Sequence, residues 1–191
     1  LLEPDRDGFR LRDGADVAIP DDVHTVWASR LDELLGPAAS AERRALELGA
    51  VLGIRVDGAE WERACERLEA DPAVLSRLLA LRLAHSTESG WAFVHGMLRE
   101  TLIRIAREAG RLRAHHRACA RMLELQTVDE AGGVSGSDAE RLGRHLLAAG
   151  LSRDAAPALL KGARIRHYAG GLDIAEELVE LARRALRDAS A

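Results

Sequence analysis

The chain has 191 residues, of which 47% are hydrophobic and 30% charged, and its formal net charge is -4. This is the composition of a globular protein with one large domain or two small ones. It excludes a disordered chain and a surface wholly devoted to nucleic acid. No apolar run approaches the ~20 residues of a membrane span. Aromatic residues are only 3%, so the core is expected to consist of Leu, Ala, Val and Ile. The basic residues are almost all arginine, with Lys161 the only lysine. Cys65 and Cys119 lack metal-type spacing and read as buried free thiols in a reducing cytoplasm. The chain opens mid-pattern and without methionine at Leu1-Leu2-Glu3, and we expect a piece of a longer protein.

Phe9–Leu11 and Val17–Ile19 flank the turn dipeptide Asp13-Gly14, which predicts a hairpin stopped by Pro20. Asp21–Leu35 is expected to be helical, with Val23, Val26, Trp27, Leu31, Leu34 and Leu35 on one face. Gly36-Pro37 ends that helix. Ser40 caps the next, which runs to Gly53. Asp57 with Glu60 forms a capping-box pattern for a helix over Gly58–Leu68. Asp71-Pro72 opens another, to about Leu83.

The periodicity then changes. Ala84–Thr87 and Trp91–Val94 flank Glu88-Ser89-Gly90, which predicts a second hairpin. Helices followed by a small hairpin are the order of a winged helix. Helical spacing returns from Gly96 through Leu98, Leu102, Ile105 and Ala109, breaks near Gly110, and continues to about Leu125. Gln126–Gly136 reads as a loop. Ser137 with Glu140 is a further capping box, followed by helices over Asp138–Ala149, Arg153–Ala169 and Leu172–Arg187. Small residues such as Ala148, Ala149, Ala155 and Ala163 let these helices pack closely. Antiparallel helix pairs of this length resemble tetratricopeptide units.

The fold expected is therefore mainly α. A winged-helix-like domain with small hairpins covers 1–126, a linker covers 127–136, and the start of a tetratricopeptide-like arm covers 137–191.

The candidate for chemistry is His95, where a short strand hands over to a long amphipathic helix. That position places its imidazole at a helix N-terminus, where backbone N–H groups lack partners and anions bind well. Other groupings read as structure. The arginines at 99, 104, 107, 111, 113, 117 and 121 suggest a DNA surface on the sharp reading and a solvated or docking face on the plain one. His115 and His116 with Cys119 lack a third ligand, so no metal site is expected. His145 is expected to pack against the next helix. Trp27, Trp61 and Trp91 occupy apolar periodic positions and are expected in the core. No nucleophile-elbow pattern is present.

Three stretches resemble the arm that follows the ATPase core of bacterial STAND-type signalling ATPases. These include MalT-like and other large LuxR-type regulators, and kinases or cyclases fused to a similar ATPase. Leu1-Leu2-Glu3 through Gly8-Phe9-Arg10-Leu11 to Ile19-Pro20, with Arg30-Leu31-Asp32, resembles the segment after the ATPase lid. Phe93-Val94-His95 with Leu98-Arg99-Glu100, then 113–123, resembles the end of the winged-helix domain. Glu140-Arg141-Leu142 to His145-Leu146, Ala149-Gly150, Ala155-Ala156 and Tyr168 resemble the first helices of the tetratricopeptide-like arm.

The resemblance covers nearly the whole chain. It implies a non-catalytic regulatory part of a larger signalling ATPase, a transcriptional regulator being the expected parent. ATP or ADP with Mg would be bound by the parent's core. The matching histidine, His95, would contact the nucleotide's β-phosphate; many relatives carry aspartate directly after it, where this chain has Gly96. The sequence holds no G-x-x-x-x-G-K-[ST], so this segment itself is not expected to hydrolyse ATP. The implied partners are the protein's own ATPase core and an unknown inducer or protein on the helical arm. DNA would be reached only through another domain, and no membrane is involved. A cytoplasmic location follows. The alternatives are a winged-helix DNA-binding regulator and a passive helical-repeat adaptor.

Overall fold

The computed structural model describes residues 2–5, 8–11, 19–35, 40–129 and 136–189. Among them, the chain is mainly helical and carries a small three-stranded antiparallel sheet and a separate two-stranded one. The elements run β1 (Leu2–Asp5), β2 (Gly8–Leu11), α1 (Ile19–Leu35), α2 (Ala41–Leu52), β3 (Arg55–Asp57), α3 (Gly58–Glu66), α4 (Val74–Ala80), β4 (Ala84–Ser86), β5 (Gly90–Phe93), α5 (Gly96–Glu108), α6 (Leu112–Asp129), α7 (Gly136–Ala148), α8 (Ser152–Tyr168) and α9 (Leu172–Asp188). No helix among the described residues is long and apolar enough to cross a membrane.

The first hairpin differs from the one expected. β1 pairs with β2 from Leu2 opposite Leu11 to Asp5 opposite Gly8, so Phe9–Leu11 is its second strand, not its first. The predicted turn Asp13-Gly14 and most of the predicted partner strand, Val17 and Ala18, lie outside the described residues. Ile19 already belongs to α1, and Pro20 sits in the first turn of that helix instead of stopping a strand. Proline is tolerated there because the first helical N–H groups have no intrahelical partner.

α2 forms the centre of the first lobe. Arg43 and the whole run Ala45–Val51 are buried, so water reaches little of this helix. Ser40 caps it, its hydroxyl oxygen accepting from the Arg43 N–H at 3.2 Å. The three-stranded sheet lies against it in the order β3-β5-β4. Its inner face carries Val56, Trp91, Phe93 and Ala84, all buried. Trp91 meets Trp61 edge-on at 5.1 Å and Phe93 at 4.8 Å, and the Trp61 indole N–H donates to the Ala45 carbonyl at 2.7 Å. β3 has only three residues and no hairpin partner of its own; it pairs with β5 across two intervening helices.

Helix termini account for several differences from the expected bounds. Asp57 caps α3 by accepting from the Glu60 N–H at 3.0 Å, but the Glu60 carboxylate turns away to Arg141 on α7. Only half of the capping box therefore forms. α4 starts at Val74, two residues after Pro72, because Asp71 first closes a local turn onto the Ala73 N–H. α7 starts at Gly136, which puts Ser137 inside the helix, and Glu140 pairs with Arg144 and Arg166. α6 runs to Asp129, beyond Leu125; of the expected linker 127–136, residues 130–135 lie outside the described residues.

Residues 109–111, 149–151 and 169–171 end their helices alike. In each, a left-handed glycine (Gly110, Gly150, Gly170; φ +71, +78 and +83) donates to the carbonyl three residues back, and the next N–H to the one five back. This turn leaves little chain between helices. α7, α8 and α9 thus run back and forth against one another, and Leu159 of α8 sits so close to Gly143 of α7 that a Cβ there would be 2.6 Å from Leu159 Cγ. Two apolar clusters result, one built from 31–119 and one from 120–185, and α6 contributes to both through Ala118, Cys119 and Ala120.

Candidate functional site

His95 stands where β5 ends and α5 begins. The strand is fixed by the Phe93 N–H on the Ile54 carbonyl and the Val94 N–H on the Leu83 carbonyl, both at 3.0 Å. His95 then takes the N-cap position of α5 in an extended conformation, with φ -125 and ψ 126. Its carbonyl accepts from the Leu98 N–H, but its imidazole makes no capping bond and is exposed. The ring lies against Trp27 of α1, with centroids 6.0 Å apart. Leu98, Leu102 and Phe93 are buried beneath and anchor the helix, with Ile105 half-buried beside them. Arg99 ties the same first turn to α2 by donating Nε–H to the Ala50 carbonyl at 2.9 Å.

The segments that meet here also carry exposed apolar side chains. Val94 and Met97 flank the histidine at 43% and 37% exposure, and Val26 beside Trp27 is 60% exposed. Leu81, at 50%, lines with Trp27, Leu31 and Leu83 a small apolar cavity of about 110 Å³. An imidazole at an open helix start can donate to an anion, and the apolar rim suits a packed partner. No acid, nucleophile or second base among the described residues is hydrogen-bonded to His95.

The other histidines have different surroundings. His115 is buried and its Nε2 meets the Glu47 carboxylate at 2.7 Å, while Arg111 grips both Glu47 oxygens at 3.0 and 2.7 Å. Burial pushes the Glu47 carboxyl up, but the hydrogen bonds and charges of His115 and Arg111 outweigh it and hold it below the usual range. His116 turns instead towards His145 of α7, Nδ1 to Nδ1 at 3.0 Å. Cys119 and Cys65 are free and buried, and burial raises both thiols to about 12. No group of three or more metal-ligating side chains occurs among the described residues.

The seven arginines of α5, α6 and the turn between them do not form one face. Arg99, Arg104 and Arg111 are taken up by the Ala50 carbonyl, Glu108 and Glu47 respectively. Arg107, Arg113, Arg117 and Arg121 are exposed. Trp61 and Trp91 are in the core, whereas Trp27 is only half-buried and gives its ring to His95.

The sequence pointed to the His95 junction through the change of period. It gave no sign of Trp27 as its neighbour, 68 residues earlier, because that contact depends on how α1 crosses α5. A cleft of about 950 Å³ lies elsewhere, between the outer face of the sheet and α7, with Arg55, His85, Glu88 and the Arg141–Glu60 pair on its walls. Its charges alternate in sign and single out no ligand. No protein-family model, no curated protein and no solved structure matches the chain.

Proposed function

We propose that this chain is a regulatory, non-catalytic arm of a multidomain signalling ATPase of STAND type. A winged-helix unit would pack on the nucleotide-binding core of the same protein, and a tetratricopeptide-like arm would sense an inducer or a protein partner. The observation that carries the reading is His95: an exposed imidazole at a helix start, free of any capping duty, against the Trp27 ring and between the exposed apolar side chains of Val94 and Met97 in the chain. An anion such as the β-phosphate of ADP held in a neighbouring domain suits the imidazole, and the domain itself suits the apolar rim.

Two features of the architecture support the assignment of parts. The order α2-β3-α3-α4-β4-β5, with the sheet ordered β3-β5-β4, suits a winged helix. The repeated turn and close packing of α7, α8 and α9 suit the start of a helical repeat. In the clamp so formed, an inducer on the arm releases the core only if it binds the open state more tightly than the closed one. ATP or ADP with Mg belongs to the core, and the setting is cytoplasmic.

A winged helix that reads DNA directly is the alternative. In that reading α4 would be the recognition helix, and the one arginine within α4, Arg77, is committed to Glu42 and the Leu34 carbonyl. That disfavours base reading by this unit and leaves DNA contact to another domain. The test uses the full-length protein. His95→Ala is expected to lose bound ADP and raise basal activity. Wild-type ADP retention together with wild-type basal activity would sink the reading.

A further inference from the structure

Arg113, Arg117 and Arg121 follow one another at every fourth position of α6, so their guanidinium groups leave the same side of the helix. All three are exposed, and none makes a side-chain ion pair or hydrogen bond with a described residue. Several helical arginines elsewhere are engaged, Arg43 with Asp32, Arg77 with Glu42, Arg141 with Glu60, Arg144 and Arg166 with Glu140, while Arg30, Arg63, Arg107 and Arg164 stand singly and exposed without such a partner among the described residues. Like charges one turn apart destabilise a helix by a few tenths of a kcal/mol each pair. α6 keeps two such pairs in succession, in a chain whose net charge is negative.

The opposite side of α6 is fully used. His115, Ala118, Cys119, Met122 and Leu123 are buried there, and Ala120 is buried at the edge of the arginine side, so the helix is held firmly and the stripe, which ends beside the exposed Glu124, is presented on a rigid support. We propose that the outward face of α6 is a docking surface for an acidic helix of a protein partner, with carboxylates at i, i+4 and i+8 set against Arg113, Arg117 and Arg121. Both stripes then repeat every ~6 Å along their axes, and each guanidinium can fork onto a carboxylate.

Charge complementarity selects a protein helix over duplex DNA. Three arginines over ~12 Å of helix fall short of the ~6–10 phosphate contacts of duplex binders. α6 has no Phe, Tyr or Trp on which bases could stack. This inference is independent of His95 and of the switch proposed above.

The test is binding of a fluorescent alanine-based helical peptide with glutamate at every fourth position, at low salt. The control peptide has the same composition with its glutamates distributed around the helix. The ordered peptide is expected to bind better, with affinity falling as salt rises. R113A/R117A/R121A is expected to lose roughly tenfold in affinity, the sum of three exposed ion pairs. Its circular dichroism should be unchanged, since all three side chains are solvent-facing; if it does not fold, R117E carries the same test with the expected loss in binding. Equal binding of the two peptides, undiminished binding by the variants, or a preference for duplex DNA over the ordered peptide each overturns the proposal.

Discussion

His116 on α6 and His145 on α7 face each other across the junction of the two lobes, Nδ1 to Nδ1 at 3.0 Å. One ring must donate its Nδ1 proton and the other must accept, so the bond requires that at least one of them be neutral. Burial lowers His116 from 6.5 to about 4, assisted by the neighbouring His115. Burial lowers His145 to about 3, assisted by His116 and Arg141.

This predicts an acid-labile junction. Both folded-state values lie below the unfolded 6.5, so the unfolded chain binds more protons in between. Stability is complete above about pH 6.5 and falls as pH drops from there towards 4. Urea denaturation across that range measures it. H116Q/H145Q, which removes both titrations, is expected to flatten the dependence; an unchanged slope would show that other groups are responsible. The Glu47 carboxyl, held low, adds a loss of the same sign only below its ordinary 4.5.

Glu47 is expected to be among the most sensitive positions. It is 0% exposed and serves both Arg111 and His115. Glu47→Ala leaves two polar partners without their acceptor and is expected to cost about 3 kcal/mol. Glu47→Gln keeps an acceptor oxygen and should cost less. Equal losses in urea denaturation would mean that the charge carries the whole effect and a neutral acceptor oxygen recovers none of it.

Two glycines predict opposite outcomes. A Cβ on Gly90 would lie 2.2 Å from the Val56 carbonyl oxygen and 2.4 Å from the Gly58 nitrogen, both backbone atoms that cannot move without breaking β3 from β5. Gly90→Ala is expected to destabilise by about 3 kcal/mol or more. A Cβ on Gly96 meets nothing within 4 Å. Gly96→Ala in the first turn of α5 is expected to stabilise by about 0.4–1 kcal/mol through the unfolded chain. Thermal melting of the two variants should move in opposite directions.

Arg141 joins the lobes by gripping both Glu60 oxygens, and the partnership raises its affinity for its proton against the effect of burial. A double-mutant cycle of Glu60→Ala and Arg141→Ala is expected to give a coupling of about 1–3 kcal/mol. Coupling near zero would show that the ion pair adds nothing to the packing of α7 on α6.

The sequence by itself determined where most helices run. The 3.6-residue spacing of α1 and α5, the serine ahead of α2 and the glycines at 110, 150 and 170 act within a few residues of themselves. Local backbone physics decides them wherever the chain goes next. The N-terminal hairpin escaped this logic, because Asp13-Gly14 is a good turn signal and the chain closed its ladder earlier, at Leu2 with Leu11. β3 escaped it too, since three residues are too few to show a period and their pairing needs β5, held by α2 and α3. The histidine at 95 was legible as a junction, but Trp27 beside it was not. Neither were Glu47 for His115, 68 residues away, nor His145 for His116, 29 residues away. Those partners were decided only by tertiary structure, because burial sets a polar group against whatever side chain the packed helices bring within hydrogen-bond reach, and no local propensity encodes that meeting.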